Sequence, residues 1–186
     1  MYPDNSLMPK EAIRLAALGV LAEGPMRYAE LANEVRDFTS HIMGPSLDVM
    51  GTSLELLRYE GLTEPVAGGA ARDDGLLRIS DAGREELKAL LLSTVRTPFN
   101  DLNKLVVALK MRFLHVLDAR SQRDQAAILL AACETELARL RDLRRKHAGT
   151  GGHLVEWLDH DIGQVEERLT WFRGLRDRLR QAANSA

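Results

Sequence analysis

One cysteine, Cys133, stands in a chain of 186 residues, so no disulfide can close within it. That scarcity fits a reducing compartment, and a cytoplasmic location is expected. Long hydrophobic runs are also missing. The longest uncharged apolar stretch, AAILLAAC at 126–133, is far too short to span a bilayer. The opening MYPDNSLMPKEA has no basic start followed by an apolar run, so no signal peptide and no membrane partner are expected. Catalytic groupings are lacking as well. No glycine-rich phosphate loop is present, because Gly68-Gly69 falls in a predicted hairpin tip, and no Ser-His-Asp or Cys-His arrangement can be argued from the spacing. His153 and His160 lie near Glu156, Asp159 and Asp161, but a second ligand set is absent and no cysteine joins them. The expectation is a soluble protein that is no enzyme, with no cofactor and no metal.

Positive charge is scarce in one half of the chain. The net charge is -2, but residues 1–95 carry 9 Lys+Arg against 15 Asp+Glu, while residues 96–186 carry 16 against 12. The front half is therefore at -6 and the back half at +4. An acidic front weighs against strong nonspecific binding to a polyanion.

What is present is helical patterning. Lys10 to Glu23 sets Ile13, Ala17, Leu18 and Leu21 at helical spacing, and Gly24-Pro25 ends the run. MRYAELANEVRDF, 26–38, places Leu31, Val35 and Phe38 on one side of a second helix. Ser46 can cap a third, with Leu47, Met50, Leu54 and Leu57 as its stripe and Gly61 as its stop. LTEPV at 62–66 and LLRIS at 76–80 are short β-prone runs around a hairpin tip, and Ser80 can cap a fourth helix. Three helices and a two-stranded wing is the order of a winged helix. Beyond Thr97-Pro98 the pattern is long helices. Leu102, Leu105, Val106, Leu109, Phe113 and Leu117 form one stripe, and Leu130, Cys133, Leu137 and Leu140 a second. The last helix offers Leu158, Ile162, Val165, Leu169, Phe172 and Leu179. Such stripes need partners, on each other and on a second copy of the chain.

Three stretches together resemble the PadR family of bacterial transcriptional regulators. They are AALGVLAEGPMRYAELANEV at 16–35, LELLRYEGLTEPV with LLRISDAGREEL across the wing, and the tail from FNDLNKLVVALKMRFLHVL to VEERLTWFRGLRDRL. The resemblance implies a mainly α protein: an N-terminal winged helix-turn-helix, residues 1–95, followed by a long-helix dimerisation domain, residues 96–186. It also implies a homodimeric repressor of a double-stranded DNA operator, released by an effector. Two departures matter. Arg27, Tyr28 and Ala29 replace the family's Tyr-Gly-Tyr cluster, and Asp48-Val49-Met50-Gly51-Thr52 stands where Gly-[Ser/Thr]-x-Tyr-Pro is usual.

The candidate DNA contacts come from the residues themselves. With its stripe buried, the third helix presents Ser46, Val49, Thr52 and Ser53, whose hydroxyls and methyls can meet base edges or phosphates. The helix region holds a single cation, Arg58, against Asp48, Glu55 and Glu60, so charge must come from its flanks. Arg27 with Tyr28 at the start of the second helix, and Arg72 at the wing tip, are the candidates. Asp73 and Asp74 follow Arg72 and weaken it; Lys10 and Arg14 read as ordinary surface charge. Trp157 and Trp171, two heptads apart, are the candidate residues for a small aromatic effector, set against the plainer role of interface core. The basic run RLRDLRRKH at 139–147 suits a helix C-terminus, or could pair with a partner's acidic half. The alternative to a DNA reader is a winged-helix dimer that binds protein partners through its acidic face.

Overall fold

The computed structural model describes residues 9–43, 50–66, 75–95 and 101–184, with the side chains of residues 9, 50–53, 101, 102 and 184 left aside. In order, the elements are α1 (Pro9–Glu23), β1 (Met26–Arg27), α2 (Tyr28–Met43), α3 (Met50–Tyr59), β2 (Thr63–Pro65), β3 (Leu76–Ile79) and α4 (Asp81–Leu92). There follow α5 (Asp101–Phe113), a 3-10 turn (Leu114–Val116), α6 (Ala119–Lys146) and α7 (Leu154–Asn184). The chain divides into two compact units, one built from α1 to α5 with the sheet and the 3-10 turn, the other from α6 and α7. The expected boundary at residue 95 left α5 with the tail, whereas α5 packs inside the first unit against α1 and α2.

α1 organises the first unit. A stripe was expected, yet Ala12, Ile13, Leu15, Ala16, Ala17, Leu18, Val20 and Leu21 are all buried. A helix apolar on every side must be surrounded, and α2, α3, α4, α5 and β3 all pack on it. Burial of Leu15, Leu18 and Leu21 contributes on the order of 2 kcal/mol each.

α3 ends as its sequence predicts. Gly61 adopts φ +71°, the left-handed conformation that side chains other than glycine's resist. Its N–H then donates to Arg58 O at 3.1 Å and that of Leu62 to Leu57 O at 2.9 Å, the paired bonds of a Schellman stop. Ser80 caps α4 as expected, accepting from Gly83 N at 3.0 Å, while its hydroxyl donates to Gly61 O at 2.7 Å. At Gly83 a Cβ would collide with the Leu62 carbonyl, so the end of α3 and the start of α4 touch through backbone.

The sheet has three antiparallel strands in the order β1-β3-β2, one more than the two-stranded wing expected. Met26 and Arg27, predicted as helix, pair with Leu77 and Leu76 instead, and α2 starts only at Tyr28. On the other side of β3, Thr63, Glu64 and Pro65 pair with Ile79, Arg78 and Leu77. Pro65 cannot donate a hydrogen bond and sits on an edge strand, where that loss is harmless.

In the second unit α6 and α7 form an antiparallel hairpin. Asp118 caps α6, accepting from Arg120 N at 2.9 Å and Ser121 N at 3.0 Å. The expected seam residues Leu130, Cys133, Leu137 and Leu140 are buried, and so are Leu158, Ile162, Val165, Leu169 and Phe172; Leu179 is half-buried. Arg141 meets Glu166 at 2.5 Å, Arg144 meets Asp159, and Arg173 meets Glu134 at 3.5 Å, fixing how the two helices run past each other.

Candidate nucleic-acid interface

Within the first unit, Leu54 and Leu57 hold α3 to the core, leaving Glu55, Leu56, Arg58 and Tyr59 outward. Tyr59 is 90% exposed and Leu56 42% exposed. Both continue the arc of the candidate Thr52, four and seven residues on, and one helical face therefore carries all three backbones. The sequence reading stopped this face at Ser53 and missed them; the same periodicity that gave Thr52 would have given Leu56 and Tyr59. Of the other candidates predicted for the third helix, Ser46 and Val49 lie outside the described residues, and for Thr52 and Ser53 only the helical backbone is described.

Arg27 is exposed, but it sits on β1 opposite Leu76, not inside the first turn of a helix. Its own N–H donates to Glu30 Oε2 at 3.3 Å. That is half of a capping box: the carboxylate three residues on occupies the positive end of α2 that a phosphate would otherwise use. Tyr28 begins α2 and is half-buried. Burial, and then the charge of Glu55 on α3, push its phenol above the ordinary value, keeping it a hydrogen-bond donor. The structure thus brings Tyr28 near α3 and puts Arg27 at the root of the sheet. Arg72 lies outside the described residues.

Several carboxylates of this unit are already paired within it. Arg14 on α1 meets Glu60 at 2.8 Å and Glu86 at 3.1 Å, Arg78 meets Glu64 at 2.7 Å across β3 and β2, and Arg112 on α5 meets Glu34 at 2.9 Å. Arg14 is therefore a strut between α1, α3 and α4, more than loose surface charge.

In the second unit Trp157 is 61% exposed and Trp171 49% exposed on α7. Trp157 lies 5.9 Å from the His160 ring, and Trp171 meets Phe172 edge-on at 5.1 Å. Fourteen residues of helix separate them by about 21 Å. The structure does not bring the two together, and one small flat molecule cannot touch both within one copy. His153 pairs with Glu156 at 3.2 Å, and Asp159 serves Arg144, which holds its carboxyl below the usual range. The basic run at 139–147 is likewise engaged at home: Arg139 with Glu136, Arg145 and Lys146 with Asp142, Arg141 and Arg144 across to α7. No helix among the described residues is long and apolar enough to cross a membrane.

A helical head with a small antiparallel sheet and an outward third helix, and a separate pair of long helices, define the winged-helix class of regulator. Residues 2–176 match the model of the AphA-like transcriptional regulators, and the chain belongs to that family. The PadR likeness drawn from its sequence is thereby borne out. Among solved structures, the chain is similar to Bacillus subtilis PadR in complex with operator DNA, at 16% identity and a TM-score of 0.36, with 90% of this chain and 98% of that one covered. It is similar to the same protein in complex with p-coumaric acid, at 16% identity and 0.37, with the same coverage. A third is smu.1604c from Streptococcus mutans, at 17% identity and 0.37, covering 96% and 99%. No curated protein matches the chain.

Proposed function

We propose that this transcriptional regulator is a homodimeric repressor that binds an operator through α3 and its flanks and is released by an effector. The observation that carries the reading is the outward face of α3. A helix anchored by Leu54 and Leu57 leaves Leu56 and Tyr59 in solvent, where isolated burial logic would not place them. In a major groove Leu56 can meet a thymine methyl and Tyr59 a phosphate, continuing from Thr52 and Ser53, with Ser46 and Val49 preceding them in the sequence. Arg27, Tyr28 and Arg72 hold the backbone on either side. Two-fold pairing through α6 and α7 accounts for the exposed Leu143, Leu154, Trp157 and Trp171, and it would set two α3 helices one DNA turn apart. Trp157 and Trp171 remain the candidates for an aromatic effector, completed by the partner copy.

The test is a titration of the dimer against duplex fragments from upstream of its own coding sequence, at two salt concentrations. Arg27→Ala and Arg72→Ala are each expected to weaken binding and to reduce the salt slope by about two per dimer, one phosphate per protomer. Unchanged binding in both removes the flank assignment. A second reading, a protein-interaction module, is favoured by the surplus of carboxylates in residues 1–95. Failure to bind any fragment even in dilute buffer would select it.

A further inference from the structure

The last turn of α5 is tied into the first unit in three directions. Lys110 is wholly buried, and its ammonium donates to the Leu91 carbonyl and, at 2.7 Å, to that of Ser93, at the open end of α4. Phe113 is also wholly buried, packed so closely on α1 that a Cβ at Gly19 would run into its ring. Between them Arg112 reaches α2 and α1. Its Nη2 donates to Glu34 Oε1 at 2.9 Å and to Glu23 Oε2 at 3.5 Å, and its guanidinium carbon lies 5.1 Å from the centroids of both Phe38 and Phe113. One nitrogen bonds both carboxylates while the flat guanidinium lies against two rings, and it is the contact with the rings that a lysine cannot copy.

We propose that Arg112 is a positioning residue for operator binding: by clamping Glu34 and Phe38 it fixes the orientation of α2, which carries Tyr28 at one end and leads towards α3 at the other. The proposal rests on the operator-binding reading above. It makes α5 part of the reading head.

Electrostatics and positioning give opposite signs for one substitution. Glu34→Gln removes a negative charge from a unit that must approach phosphates, so a purely electrostatic role predicts tighter binding. Positioning predicts weaker binding, because the shorter bond of Arg112 loses its charge assistance.

The experiment measures affinity for the upstream fragments with the full chain, alongside thermal unfolding to confirm that each variant is folded. Glu34→Gln is expected to bind about five-fold more weakly, and Arg112→Lys, which keeps the charge but loses the flat face against both rings, about ten-fold more weakly. The salt slope stays at the wild-type value in both. Arg112→Gln with Glu34→Gln should bind no more weakly than Arg112→Gln alone, since both break one clamp. If Arg112→Gln does not fold, the two single variants still decide. Wild-type affinity in Arg112→Lys, or tighter binding by Glu34→Gln, overturns the inference while leaving operator binding intact. A wild-type chain that binds no fragment instead overturns the operator reading beneath it.

Discussion

Three basic residues of the first unit do work that the basic run of the second does not. In the first, Arg14 and Arg112 are each only about a quarter exposed and bridge elements 46 to 89 residues apart, while Lys110 is not exposed at all. In the second, Arg139, Arg145 and Lys146 pair three or four residues back along the same helix, and Arg141 and Arg144 reach only across the hairpin, all in solvent. Exposed pairs are screened and gain little; a half-desolvated cation with several partners holds structure, and a buried one whose acceptors are backbone carbonyls is costly to remove. At Arg14, Lys110 and Arg112 the charge of the head is architectural. The exposed pairs of Arg78 with Glu64 and of Lys88 with Glu85 resemble those of the helical hairpin, where charge mostly sets register.

The largest effect should come from Lys110→Ala. It deletes buried methylenes and leaves the Leu91 and Ser93 carbonyls short of a donor, at a cost of about 3 kcal/mol or more in denaturant unfolding. A cost under about 1 kcal/mol would break the contrast between the units. Next is Gly83→Ala, which sets a methyl against the Leu62 carbonyl and is expected to cost about 2 kcal/mol, read as a lowered unfolding midpoint with an unchanged denaturant slope.

Titration sharpens the comparison further. Burial holds the Lys110 amine down to about 7, against an ordinary 10.5. Between those values the unfolded chain binds the proton and the folded chain does not, so this group makes stability rise with pH from about 7 to about 10.5. Below that range both states are protonated and its contribution is flat. The slope should approach 1.4 kcal/mol per pH unit at most. Lys110→Met should lack it, and an identical pH profile in the two proteins would show that the amine does not titrate there. The smallest effect is expected for Arg141→Ala, below about 1 kcal/mol and fading with added salt.

Much of this was legible beforehand. Gly61 and Ser80 announced the end of α3 and the start of α4 because caps are local chemistry, and the α6 and α7 stripes followed from periodicity alone. β1 was not legible. Two residues form it, and their strand character comes from pairing with β3, fifty residues on. Arg112 gave no sign of its partners for the same reason. Lys110 did leave a trace, since it stands four residues after Val106 and three before Phe113, a lone cation on an apolar stripe. Leu56 and Tyr59 were within reach of the argument that found Thr52. The acidic balance of the head was correctly read as a count, but a count cannot tell which carboxylates already have a guanidinium beside them.

β3 is the middle strand, shared by β2 on one edge and by Met26 and Arg27 on the other. A tug on β3 is therefore delivered, through the hydrogen bonds between neighbouring strands, to the two residues immediately before α2, and no side chain need relay it.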